Sequence, residues 1–302
     1  MVASLAFLAG NIIGQETYWA LDEEESNRIY GWTNYADSGT LDDYGLFEYD
    51  DGTGYKIFPL NTRDIEAMAV SNSNIGYLLD QTNALFSYDF SGLTVGTANR
   101  YQLTTISLDI GLGGEALTYN PFDGFLYLGA VVGAATKTDT TADEIYRIDP
   151  ATGDTFLVGT ASGLGETLGY TDGIEFDSSG NLFAYDQNDA HLYRLSLSNG
   201  TILEVVDNNV GGGLSSGHDV ETLSWDSTNN RMIGIDNGNQ EIIEISLANG
   251  GNSVLSEFNS ILGSGVDFEG SGMQSTVPEP SSAILLLGAL SLFLFRRVRR
   301  AA

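Results

Sequence analysis

The chain has 302 residues, no cysteine and a formal net charge of −29, with 42% hydrophobic and 11% aromatic residues. That composition is too apolar for a disordered chain, and the missing thiols exclude disulfides, iron–sulfur clusters and cysteine-type zinc sites. All 41 acidic residues but only 8 of the 12 basic ones precede Arg296, so the body carries about −33 and repels phosphate backbones; a nucleic-acid partner is excluded.

The first fifteen residues open on MVASLAFLAG, an apolar run of signal-peptide length that lacks a basic leader, for the first basic residue is Arg28. Residues 1–15 read as a clipped signal peptide, the alternative being a buried first strand over Ala3–Ile13.

From residue 16 to 270 one pattern returns. Four segments begin alike: DIEAMAV at 64–70, GGEALTY at 113–119, DGIEFD at 172–177 and DVETLSW at 219–225. Each is followed by three more apolar strands, as in IGYLLDQ, ALFSYDF and YQLTTISL after the first, with starts 47 to 59 residues apart. Tyr, Phe, Leu, Ile and Val fill these strands, Asn-Gly, Asp-Gly and Ser-Gly turns punctuate them, and no helical periodicity is sustained. Four short antiparallel strands at this period make a blade, so the expected fold is an all-β propeller. GVDFEG at 265–270 is a fifth start with nothing after it, while residues 17–60 hold strands without a start. Pairing the two ends closes five blades; an independent strand at TYWALD would make a sixth. Residues 271–277, SGMQSTV, read as a polar linker.

Within the starts, alternation puts Asp64 with Glu66, Asp219 with Glu221 and Asp267 with Glu269 on one strand face. Glu115 keeps half of the pair, and Gly173 stands for the Glu in the third unit. If these strands line the channel, seven carboxylates (Asp64, Glu66, Glu115, Asp219, Glu221, Asp267 and Glu269) ring one mouth, and Ca²⁺ is the cofactor such hard oxygens suit. The plainer reading is that each acid accepts hydrogen bonds from turn amides, with no cofactor. Acidic loops at Asp22–Glu25 and Asp42–Asp43 lack EF-hand spacing and read as solvated turns. Gly213-Leu214-Ser215-Ser216-Gly217 with His218 and Asp219 matches G-x-S-x-G, yet a Gly-rich loop leads there into a strand and not from strand to helix, which excludes a nucleophile elbow. Gly111–Ala116 imitates a dinucleotide fingerprint without its helix and reads as a turn. With His191 and His218 alone, a multi-histidine metal site is excluded, and His191 reads as a turn or solvated residue. Tyr18, Trp19, Tyr30, Trp32, Tyr35 and Tyr44 crowd the first unit as core or, alternatively, as a sugar-stacking platform.

The end of the chain is the most specific stretch. Pro278-Glu279-Pro280 precedes an apolar run, Ala283–Phe295, and then Arg296, Arg297, Arg299 and Arg300. Thirteen helical residues span about 20 Å, short of a roughly 30 Å hydrocarbon core, so the run suits a marginal anchor with its arginines on the cytoplasmic side. Residues 278–302 resemble the PEP-CTERM sorting domain of exosortase substrates. The resemblance implies an exosortase-type processing enzyme, transient anchorage in the inner membrane of a Gram-negative bacterium, and delivery to the cell surface or exopolysaccharide matrix. The expectation is therefore an exported, non-catalytic protein with a binding or structural role. The alternatives are a Ca-dependent propeller hydrolase of lactonase or phytase type and an exopolysaccharide-binding module.

Overall fold

The computed structural model describes residues 17–22, 28–33, 35, 40–50, 55–57, 65–80, 82–93, 95, 99–101, 104–108, 113–131, 141–206, 218–258 and 266–273. The Gly213–Gly217 loop, Asp64 and the tail from Pro278 to Arg300 fall outside them. No described helix is long and apolar enough to cross a membrane.

In chain order, β1 (Thr17–Asp22), β2 (Arg28–Thr33), β3 (Thr40–Asp50) and β4 (Tyr55–Ile57) come first. Next are β5 (Ile65–Val70), β6 (Ile75–Asp80), β7 (Ala84–Asp89), β8 (Asn99–Tyr101) and β9 (Thr104–Ser107). A third set is β10 (Gly113–Tyr119), β11 (Leu126–Val131), β12 (Glu144–Ile148) and β13 (Thr155–Thr160), followed by the small hairpin β14 (Ser162–Gly163) and β15 (Glu166–Thr167). Then come β16 (Thr171–Phe176), β17 (Leu182–Asp186), β18 (His191–Leu195) and β19 (Ile202–Val205). The last are β20 (Val220–Asp226), β21 (Arg231–Asp236), β22 (Glu241–Ile245), β23 (Asn252–Glu257) and β24 (Phe268–Met273).

These strands form five blades of a β-propeller. Blade I is β24-β1-β2-β3 with β4 outside, blade II β5-β6-β7-β9, blade III β10 to β13, blade IV β16 to β19 and blade V β20 to β23. The C-terminal strand is the innermost strand of the blade that the N-terminal strands complete, with Tyr18 opposite Met273 and Leu21 opposite Gly270. TYWALD thus joins this blade, and the sixth-blade alternative falls away. The first strand of each set lines the axis, where β5, β10, β16, β20 and β24 pack side by side in a closed ring. Closure leaves no exposed edge at the axis.

The hydrophobic core is divided among the blade interfaces. Each of five apolar clusters joins adjacent blades: Trp19 and Leu21 pack with Met68 and Phe90 between I and II, and Trp32, Phe258 and Phe268 pack between V and I. Leu79 with Leu128, Phe176 with Tyr127, and Tyr185 with Leu223 belong to the other three. The aromatic crowd of the first unit is this core: Tyr18, Trp19, Tyr30, Trp32 and Tyr35 are all at most 5% exposed, which removes the sugar-stacking platform. Their flat rings fill the wedge between twisted sheets.

Where a linker is expected from residue 271, β24 continues to Met273. Glycine and serine occur here because two inner strands approach closely. A Cβ on Gly270 would stand 2.6 Å from the backbone nitrogen of Met68, and one on Gly272 would stand 2.6 Å from Val70 Cγ2. Asp22 is likewise no solvated turn residue. Like Asp80, Asp186 and Asp236 it ends the second strand of its blade and is fully buried. These carboxylates accept backbone N–H groups: Asp80 from Thr82 and Ala84, Asp186 from Gly169 and Asn188, Asp236 from Asp219, and Asp22 from Asp267. Each fastens a turn or the start of the next blade without leaving a buried donor unpaired.

Candidate functional site

The inner strands run in one direction, so their N-terminal ends make one mouth of the channel and their C-terminal ends the other. At the first mouth every inner strand carries a β-bulge, marked by a one-residue register shift against its neighbour. The shifts fall at Glu66, Glu115, Asp172, Glu221 and Glu269. The equivalent acid of the third unit is therefore Asp172, which sequence matching missed: the bulge shows that Gly173 aligns with Ala67 and Ala116, not with the glutamates. A bulged residue re-aims its side chain relative to its strand, and here it places one carboxylate per blade.

The expected seven-member ring is thus a five-member ring with one different member. Asp64 is not described. Asp219 and Asp267 turn aside and accept hydrogen bonds from the preceding blade, from Gln187 Nε2 at 2.5 Å and Asn237 Nδ2 at 2.6 Å. Gln187 Nε2 also donates to Glu221 at 2.7 Å, fixing one ring member. Burial raises the Asp172 carboxyl well above the usual carboxylate range, and the charges of Glu221, Glu269 and Glu115 push the same way. Asp172 lies within hydrogen-bond reach of Glu221, while its Oδ2 has no donor. Burial also raises Glu115, and the same four acids surround the Tyr170 hydroxyl.

Oxygens on one calcium ion stand no more than about 5 Å apart, since each bond is about 2.4 Å. Among the described residues no three ring carboxylates bring oxygens within 4.8 Å of one another, so the ring as arranged does not form a calcium shell. Burial and its acidic neighbours make Asp172 the member of the ring on which a proton is most favoured. The described residues that do meet this distance are Glu166, Asp189 and His191, on the outer side of blade IV. There Tyr193 donates its hydroxyl to Asp189, and Asp189 accepts the backbone N–H of His191 at 2.9 Å. The turn role expected of His191 is what these bonds describe.

The second mouth was not legible in the sequence. Beyond the hydroxyls of Thr222, Ser224 and Ser271, which bond one another at 2.7 and 2.9 Å, the channel opens into a cavity of about 210 Å³. Its walls include Tyr119, Phe122, Phe176 and Trp225, with Glu175 and Asp177 as its acids. Glu175 lies three residues past the bulge at Asp172 on β16. Its Oε1 accepts from Thr118 Oγ1 at 2.8 Å and from the Phe176 N–H at 2.7 Å. Burial pushes its carboxyl up to about 7, against those hydrogen bonds and one from the Trp225 backbone, which pull it down. Phe122, at the rim, is 60% exposed. An apolar cavity with a few convergent polar groups at an axial mouth is the common form of a small-ligand site.

No protein-family model and no curated protein matches the chain. Solved structures do. A chain of a nidogen–laminin complex matches with 12% identity and a TM-score of 0.50 over 86% of this chain and 99% of that one. A gluconolactonase-like protein matches with 12% identity and a TM-score of 0.48, over 80% and 79%. Virginiamycin B lyase from Staphylococcus aureus matches with 11% identity and a TM-score of 0.43, over 79% and 72%. At these identities the likeness is one of fold alone.

Proposed function

We propose that this chain is an exported propeller of the bacterial surface or extracellular matrix that acts by binding, not by catalysis, through the cavity at its second axial mouth. The observation that carries the binding role is that cavity: four aromatic side chains around a half-buried, protonatable Glu175. Delivery is supported by the tail, where Pro278-Glu279-Pro280, the apolar run and four arginines stand in the order of a PEP-CTERM signal. An acidic body suits this setting because it stays soluble and does not adhere to anionic membrane surfaces.

Two experiments test the two halves separately. A fragment screen by ligand-observed NMR on the full chain in mild detergent should give hits that compete with one another and are lost in Trp225→Leu; hits insensitive to that change would place binding elsewhere. For delivery, Pro278→Ala with Pro280→Ala, or deletion of Arg296–Arg300, should leave the chain unprocessed in an exosortase-bearing host. A wild-type chain found full length and soluble in the cytoplasm would overturn it.

A further inference from the structure

We propose that the ligand of the second-mouth cavity is a small organic cation, an ammonium group held between aromatic faces with the carboxylates of Glu175 and Asp177 as counter-charges. This rests on the reading of the cavity as the binding site. Three observations lead to it. Tyr119, Phe122, Phe176 and Trp225 line one cavity, and the electron-rich faces of such rings attract a cation, Trp most strongly. Among the described residues of the wall the two charged side chains, Glu175 and Asp177, are both acids, with no lysine or arginine beside them. The whole body is strongly acidic, so its field draws cations and repels anions.

The groups that face Glu175 offer it no compensating charge. Among the described residues they are the Thr118 hydroxyl from β10, the Phe176 N–H of its own strand, the Trp225 backbone from β20, and at longer range the Tyr18 hydroxyl from β1. Desolvation without a cation nearby favours the protonated form of a carboxyl, and an ammonium ion supplies the missing counter-charge. Asp177 is already tied to the N–H of Ser179 and of Asn181, each at 2.8 Å, so its side chain is held in place at the rim. A neutral sugar would meet rings and two acids with no use for their charge. A metal ion would find too few oxygens among so many rings.

The probes are choline and 3,3-dimethylbutanol, which has the same shape with carbon in place of the charged nitrogen. Binding to the full chain in mild detergent is followed by ligand-observed NMR titration at pH 8 and pH 6. Choline is expected to bind at least tenfold more tightly than the alcohol at pH 8. Its affinity is expected to fall roughly tenfold at pH 6, because Glu175 with a value near 7 is ionised in only about a tenth of molecules there. Glu175→Gln should abolish that pH dependence, and Trp225→Leu should weaken choline at both pH values. Equal affinity for choline and the alcohol would overturn the cation inference and leave the binding cavity standing. If neither probe binds, and the fragment screen gives no cavity hits, both readings fall. Choline binding that survives Glu175→Gln and Trp225→Leu together would place the cation elsewhere.

Discussion

Replacing Glu175 by Gln should stabilise the propeller, and by an amount that depends on pH. The folded carboxyl has a value of about 7 against an ordinary 4.5, so the folded state holds the proton more tightly than the unfolded chain does. The sign follows from linkage. Stability from this group is greatest below 4.5, declines as pH rises from 4.5 to 7, and is lost above that. The difference of about 2.5 pH units corresponds to roughly 3 kcal/mol at pH 8, at about 1.4 kcal/mol per unit. At pH 5 the same expression leaves a cost under about 1 kcal/mol, because the folded carboxyl is already protonated. Glutamine keeps the carbonyl that accepts from Thr118 and Phe176 N, and its amide projects no net charge into the cavity. Denaturant unfolding of wild type and E175Q at pH 8 and pH 5 reads the effect as a difference in midpoint at constant slope. A variant destabilised equally at both pH values would show that Glu175 works as a structural acceptor and that its proton plays no part.

Three other outcomes are expected from the same structure. Phe268→Ala should cost about 3–5 kcal/mol in equilibrium unfolding, since this fully buried ring meets Tyr30, Trp32 and Phe258 at centroid distances of 5.7, 5.5 and 5.3 Å; a loss below 1 kcal/mol would refute closure through β24 as a source of stability. Gly270→Ala should cost about 2–3 kcal/mol by forcing β24 off the Met68 backbone, whereas Gly92→Ala, with nothing within 4 Å, should stay within about 0.5 kcal/mol of wild type. Calcium at millimolar concentration should leave the melting curve where chelator leaves it, because among the described residues no three ring carboxylates stand close enough to share one ion. A rise in melting temperature that Asp172→Asn removes would mean that the ring contracts around the ion.

Most of the fold was legible because its signals are local. Turn residues and alternating apolar positions repeat in the same order in every unit, and they place β6, β7, β11, β12, β17, β18, β21 and β22 to within two residues. The ring closure was legible for a different reason: a start without a sequel at 265–270 and sequels without a start at 17–60 can satisfy each other. What was not legible came from contacts between blades. Serine and glycine at 270–272 have the composition of a linker, and only the approach of β5 makes their small size a packing requirement. Asp22 sits in an acidic run that looks solvated, yet in the fold it is buried and accepts the N–H of Asp267, 245 residues away.

The candidate site was misread at the point where sequence matching and backbone geometry diverge. D-x-E looks like one motif with two equivalent acids, because strict alternation would put both on the same face. A bulge between them breaks that alternation. The glutamate is re-aimed to the channel, and the aspartate accepts from an amide of the preceding blade, from Gln187 or Asn237. In blade IV the bulge residue is Asp172 itself, one position before the glycine that matching assigned to it. The acid of the second mouth carries no such repeat. Glu175 stands three residues past its bulge, where the other units have Ala69, Thr118, Ser224 and Gly272. A single departure from the repeat, an ionisable side chain where its siblings are small or carry a hydroxyl, is the signal that could have found it. A structural role repeats with the blades; a ligand on the axis needs only one blade to differ.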